Sequence, residues 1–237
     1  VILYDRLVNS FLLSYCKVGA QKICVGKQPT RHAFPQDEIN RMLIEFARQG
    51  KTVVRLKGGD PFIFGRGSEE ALALVENNIP FEIIPGVTSA LGASAYSGIP
   101  LTHRNLATQV VFVTANEDPT KPTSQVDWNL LSKLQNATIV VYMGASTLPL
   151  LVENLIKNGC SPATPAAIIM NSTLPSQKCV RGELKDLPEL VEKHSLSSPL
   201  LTIIGPTVEV SSNLDWFHQK PLFGRRFVTT RSIEQSS

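Results

Sequence analysis

Four segments stand just after the short apolar runs of the first hundred residues: Asp5-Arg6, Gly26-Lys27 with Arg31 and His32, Lys57 through Arg66, and the uncharged Pro85 through Ser89. His103 and Arg104 follow an alanine-rich stretch. In an open α/β sheet, ligands bind beyond the carboxyl ends of the strands. These positions should therefore share one crevice, whose basic groups outnumber Asp5 and Asp60 and suit a substrate carrying several carboxylates. The plainer account is that exposed loops are polar in any protein.

The loop Gly58-Gly59-Asp60-Pro61-Phe62-Ile63-Phe64-Gly65-Arg66-Gly67 is the most specific local feature. Its glycines permit positive φ and a close approach of backbone to ligand. It matches neither GxxxxGK[ST] nor GxGxxG, so a phosphate cradle is not indicated. Asp60 would repel a phosphate but accepts hydrogen bonds from an amine or hydroxyl. Phe62, Ile63 and Phe64 can shelter an apolar ligand part, or simply be core. A cationic or zwitterionic nucleoside fits better than a nucleotide, and S-adenosylmethionine has that character. His32, His103, His194 and His218 are scattered, without a ligand cluster, so no metal is expected. Cys16, Cys24, Cys160 and Cys179 form no CxxC and read as reduced thiols of a cytoplasmic protein.

The elements that must position these loops read as α/β throughout. Strands are predicted at Val1–Tyr4, Ile23–Val25, Thr52–Leu56, Phe81–Ile84 and Val110–Thr114, then at Thr138–Tyr142, Ala166–Met170, Lys178–Arg181 and Leu200–Ile204. Helices are predicted over 36–48, after a Ser68 cap, over Ala90–Ala95, and over 147–158. The polar, breaker-rich stretch 116–125 reads as a linker. The expected organisation is an N-terminal α/β lobe at 1–115, a C-terminal α/β lobe at 116–216, and a tail at 217–237 that reads as a linker and the first strand of a further domain.

With 237 residues, 43% in the hydrophobic set and 18% charged, the chain can bury a core and is not disordered. The net charge is +3, and Lys220, Arg225, Arg226 and Arg231 against Glu234 account for all of it. A nucleic-acid partner is not expected. No apolar run reaches the length of a membrane span, and no signal peptide is seen.

Tyr4-Asp5-Arg6-Leu7-Val8, Val25-Gly26-Lys27, Val54 through Gly67, Pro85-Gly86-Val87-Thr88-Ser89-Ala90, Gly98 through Arg104, and Tyr142-Met143-Gly144 together resemble the uroporphyrinogen-III C-methyltransferases, within the tetrapyrrole methylases. The resemblance runs from residue 1 to about 216, with the motifs in the family's order. It implies a two-lobed tetrapyrrole methylase fold, mostly parallel sheet in the first lobe and mixed sheet in the second, with the cofactor in the cleft between lobes. It implies transfer of methyl groups from S-adenosylmethionine, leaving S-adenosylhomocysteine, to carbons of uroporphyrinogen III to give precorrin-2 for sirohaem and cobalamin. A homodimer is the implied assembly.

Carried over position by position, the cofactor contacts fall on Gly58, Gly59, Asp60, Ile63, Thr88, Ser89 and Met143, with a further one on Ser172, where the family usually has glycine. The family's proton acceptor falls on Asp5 and its proton donor on Lys27. The alternative for Asp5 is a cap on a helix after the first strand, Lys27 can equally anchor a substrate carboxylate, and Met143 can be a core strand residue as well as a cofactor contact. Arg6, Arg31, His32, Arg66, His103 and Arg104 are the expected substrate-binding cations.

The family also has an opening strand and a glycine-rich loop upstream of Tyr4, and neither is in this chain. At the other end, Pro221 through Gln235 resembles the first strand of a uroporphyrinogen-III synthase, which reads as a fused or adjacent partner. Residues 221–237 are expected to be mobile. The competing readings are a later corrin-ring methylase and a fragment that binds tetrapyrrole without turnover.

Overall fold

The computed structural model describes residues 1–26, 34–116, 124–228 and 230. The chain divides into two compact units, Val1–Thr88 and Ser89–Ser237.

In the first unit β1 (Ile2–Tyr4) is the middle of a three-stranded parallel sheet, between β2 (Lys22–Cys24) and β3 (Val54–Leu56). Helix α1 (Gln36–Arg48) carries Asp37 and Glu38 in its first turn, where the helix dipole favours negative charge. Its buried residues Ile39 and Leu43 stand four apart on one face and join Leu3 and Val25 in a small core. Helix α2 (Gly67–Glu76) follows the glycine-rich loop. Its N-cap is Arg66, in the left-handed region at φ 57°, with no side-chain cap, so Ser68, the expected cap, is instead the second residue of the helix.

Phe81–Ile84, predicted as a strand, is not one: no ladder partner stands beside it among the described residues, and Phe81, Ile83 and Ile84 are exposed. A run of strand-forming residues becomes a strand only when another backbone offers it hydrogen bonds, and that condition is not local.

The second unit opens with α3 (Ser89–Ser97) and holds a five-stranded mixed sheet. Its strands are β4 (Gln109–Thr114), β5 (Ala137–Tyr142), β6 (Pro165–Met170), β7 (Lys178–Glu183) and β8 (Leu200–Ile204), in the order β4-β5-β8-β6-β7. β4 and β5 are parallel and the other pairs antiparallel. All six residues of β5 are buried, because the sheet is covered on both faces. Ile139 and Val141 join a core with Leu148, Leu151 and Leu155 of helix α4 (Leu148–Lys157). Val140 and Tyr142 join a second core with Ala90 and Ala93 of α3. A boundary after residue 115 would sever β4 from β5, its ladder neighbour among the described residues, so β4 belongs with the second sheet rather than the first.

Residues 214–220 pack onto α3, and of the stretch 221–237 expected to be mobile, Phe223 joins them. Trp216 Nε1 donates to the Ala95 carbonyl at 2.8 Å, and Trp216 and Phe217 pack against Tyr96 with ring centroids 5.3 and 4.7 Å apart. Phe223 stacks edge-on against Phe217 and His218. Aromatic side chains bury enough surface in such a cluster to offset the ordering of the backbone that carries them. Residues 221–228 form turn and coil, not a strand.

Candidate functional site

In the first unit the expected residues meet where parallel strands end. Asp5 follows β1, Lys57 and Gly58 follow β3, and the Asp5 amide donates to the Leu56 carbonyl at 3.1 Å. The Asp5 carboxylate receives Arg55 Nη2 at 2.6 Å. Among the described residues it caps no helix: the following 3-10 helix, Ser10–Tyr15, is capped by Asn9, whose side chain accepts from the Phe11 amide. Arg55 also donates to Glu70 Oε1 at 3.0 Å, and Lys57 Nζ donates to the same oxygen at 2.9 Å. Glu70 is only 5% exposed and takes a third bond from Gln36. Asp5 is thus one end of a half-buried chain of alternating charge, Asp5–Arg55–Glu70–Lys57. Such a network holds a carboxylate in one orientation because each member would be costly to bury alone.

Asp60 has a different task from the open acceptor expected of it. Its Oδ1 accepts from the Phe62 amide at 2.8 Å and its Oδ2 from the Gly86 amide at 3.0 Å. Chiefly the Gly86 amide, then that of Phe62, holds the carboxyl below its ordinary value. Asp60 therefore ties the glycine-rich loop to the Pro85-Gly86 turn, and only its remaining lone pairs are open to a ligand. The two backbones touch so closely that a Cβ on Gly86 would lie 2.2 Å from the Gly59 carbonyl oxygen. Gly58 differs, since a Cβ there would meet nothing nearer than Leu7 O at 4.0 Å. Packing of the chain does not require a glycine at 58, whereas a ligand lying against that backbone would. Phe62, Ile63 and Phe64 are all exposed, not core. Arg66 makes a two-point pair with Glu69, at 2.8 and 2.6 Å, which raises its pKa. Arg6 is exposed, and Thr88 is buried at the end of the unit.

In the second unit, β8 runs antiparallel to both β5 and β6, so those two strands end at the same edge of the sheet. Met143 stands just beyond β5 with φ 55° and is 46% exposed, which excludes a core strand position. Ser172 stands beyond β6 between Asn171 (φ 49°) and Thr173 (φ 69°). Its Oγ is buried and finds no hydrogen-bond partner among the described residues. Buried hydroxyls are seldom left so, and this one suits a polar group of a bound molecule. Ser89 begins α3, and the next amide, Ala90, donates to the buried Tyr142 hydroxyl at 3.1 Å. His103 sits half-buried in a tight turn closed by its amide and the Ala107 carbonyl, beside exposed Arg104. Lys27, Arg31 and His32 lie outside the described residues.

Arg55 and Glu70 were not anticipated as site residues. The available signal was an arginine inside an apolar strand, a position where charge persists only with a buried partner. A separate groove of about 480 Å³ on β7 is lined by Cys179, His194, Asp215 and His218 among others. Burial pushes the Cys179 thiol up to about 11, so it offers no thiolate at neutral pH. No cluster of three or more His, Cys, Asp or Glu placed to hold a metal occurs among the described residues.

The pattern of the Tetrapyrrole (Corrin/Porphyrin) Methylases matches residues 1–188. The siroheme synthases of Pseudomonas putida (strain W619) and Thiobacillus denitrificans are 48% and 46% identical over 217 residues, 92% of this chain. The chain spans about half the length of these curated relatives, 46% and 45%. Among solved structures, a uroporphyrin-III C-methyl transferase from Thermus thermophilus, complexed with S-adenyl homocysteine, is 35% identical with a TM-score of 0.73, covering 88% of this chain and 86% of that one. A cobalt precorrin-4 methyltransferase is 27% identical with a TM-score of 0.74, covering 87% and 84%.

Proposed function

Because the chain belongs to the tetrapyrrole methylase family, we propose that it carries the S-adenosylmethionine-dependent C-methylation of uroporphyrinogen III to precorrin-2, through precorrin-1. The observation that carries this reading is the likeness, over most of both chains, to the Thermus enzyme named as a uroporphyrin-III C-methyl transferase and complexed with S-adenyl homocysteine. The lower identity to the precorrin-4 enzyme favours the earlier substrate over a later corrin ring.

The residues present fit the cofactor. Gly58 leaves open space against its backbone, exposed Phe62, Ile63 and Phe64 offer apolar surface, and the buried Ser172 hydroxyl needs a partner. Gly59, Asp60, Thr88, Ser89 and Met143 complete the assigned contacts. When bound, S-adenosylmethionine supplies a methyl group activated by its sulfonium. Asp5, oriented by Arg55, stabilises the positive charge that grows on the pyrrole as its carbon forms the new bond, or takes the pyrrole proton. Lys27 donates a proton or anchors a carboxylate. Arg6, Arg31, His32, Arg66, His103 and Arg104 are assigned to the remaining carboxylates, with Arg66 exchanging its Glu69 partner for the substrate.

We place this reaction in sirohaem and cobalamin biosynthesis, in the cytoplasm, in a homodimer with a fused or adjacent uroporphyrinogen-III synthase. The names of the relatives support the pathway, and light scattering tests the dimer. Calorimetric titration with S-adenosylhomocysteine, followed by mass spectrometry of uroporphyrinogen III incubated with S-adenosylmethionine, tests the activity. Binding together with methylated tetrapyrrole supports the proposal; neither binding nor methylation refutes it.

A further inference from the structure

The turn that carries Ser172 is held in an unfavourable shape by one buried side chain. Thr173 sits at φ 69°, where a β-branched residue is strained, and Asn171 at φ 49°. Gln177, 3% exposed, reaches back so that its Oε1 accepts from the Thr173 amide at 2.8 Å. Its Nε2 donates to the Tyr96 carbonyl in the last turn of α3 at 3.0 Å and lies 3.5 Å from His218 Nε2. His218 is fixed in turn by Asp215 through Nδ1 and by the ring of Phe223. One amide therefore joins three segments: the Ser172 turn, the helix that begins at Ser89, and the tail.

We infer that Gln177 is a positioning residue for the cofactor, setting the backbone of the Ser172 turn, and that the tail Leu214–Phe223 acts on that turn through it. The inference rests on the reading that Ser172 contacts the cofactor. A buried amide satisfied on both ends has one orientation, because turning it over would set Nε2 against the Thr173 N–H and Oε1 against the Tyr96 carbonyl. With the amide locked, the turn cannot relax to an ordinary φ at Thr173 without breaking a buried hydrogen bond. The tail closes the third side, so residues beyond the 1–188 span of the family pattern shape a site within it.

The test uses the whole chain with Gln177→Met, Gln177→Glu and Trp216→Ala. Methionine keeps length and apolar bulk but makes neither hydrogen bond. Glutamate keeps the acceptor for the Thr173 amide and loses the donor to Tyr96. Trp216→Ala loosens the tail without touching Gln177. Calorimetry should show the dissociation constant for S-adenosylhomocysteine raised about tenfold in Gln177→Met, the equivalent of roughly one lost buried hydrogen bond. Gln177→Glu, which sets a buried carboxylate oxygen against the Tyr96 carbonyl, should show at least as large an increase, and Trp216→Ala a smaller one. In Gln177→Met, hydrogen exchange at the Thr173 amide should also accelerate without any ligand, while kcat at saturating S-adenosylmethionine stays within about threefold of the unchanged chain, a split that general loss of folding does not produce. Unaltered affinity in both Gln177→Met and Trp216→Ala overturns the inference and leaves the proposed function standing. Failure of the unchanged chain to bind S-adenosylhomocysteine overturns both.

Discussion

Glu70 is the residue on which the first unit's buried charge depends, and Glu70→Gln tests it with little change of shape. One oxygen, Oε1, receives Arg55 at 3.0 Å and Lys57 at 2.9 Å. The side chains of these cations are 12% and 8% exposed, so water cannot replace the lost carboxylate. Removing one partner of a buried pair costs about 3–5 kcal/mol. Asp5 still neutralises Arg55, and glutamine keeps one acceptor oxygen, so the lower figure applies, about 3 kcal/mol. For a chain of this size about 1 kcal/mol moves the melting temperature by roughly 2–4 °C, which places the expected fall near 6–12 °C. Urea unfolding at neutral pH gives the free-energy change directly, with m unchanged if only the native state is affected. Adding Lys57→Met should return at least about 1 kcal/mol, because the uncompensated ammonium is then gone. A loss under about 1 kcal/mol in the single variant, or strict additivity in the double, would show that the network is solvated and does not hold Asp5.

Asp5→Asn should lower kcat by roughly a hundredfold to a thousandfold while barely changing cofactor affinity; a change in melting temperature alone would mean that the carboxylate serves the fold. Gly58→Ala should leave the melting temperature near that of the parent chain yet weaken S-adenosylhomocysteine binding, whereas Gly86→Ala should unfold the chain more easily by about 1–3 kcal/mol because its Cβ would overlap Gly59 O. The reverse order would place the ligand elsewhere. The Cys179 thiol titrates near 11 in the native state against an ordinary value of 9.0. Between those values the unfolded chain binds fewer protons, so its stabilising effect is complete below pH 9.0 and is lost as pH rises toward 11. The loss approaches about 1.4 kcal/mol per pH unit, and Cys179→Ala should remove that part of the alkaline slope in urea titrations at successive pH values. Identical slopes would mean that the thiol is not buried.

Much of the scaffold was legible because its determinants are local. Helix α1 has its apolar spacing and acidic first turn within its own residues and Gly50 just beyond its end, and the expected limits 36–48 match the observed Gln36–Arg48. Strands β5, β6 and β8 are short, almost wholly apolar runs, which in a protein of this composition have nowhere to go but the middle of a sheet. The glycine-rich loop and the motifs around Asp5 were equally plain, since their meaning lies in residue type and order. Tertiary structure alone decided what those residues do to one another. Phe81–Ile84 has the composition of a strand but no neighbouring backbone, and Asp60 reads as a free carboxylate until Gly86 is folded against it. Glu70 looks like a helix-dipole residue until Arg55 and Lys57 arrive from β3 and the loop after it. The tail reads as a linker until its rings meet Tyr96, more than a hundred residues earlier in the chain. Hydrogen bonds and ion pairs between distant segments leave no period in a sequence, and burial, which sets their strength, is a property of the folded chain.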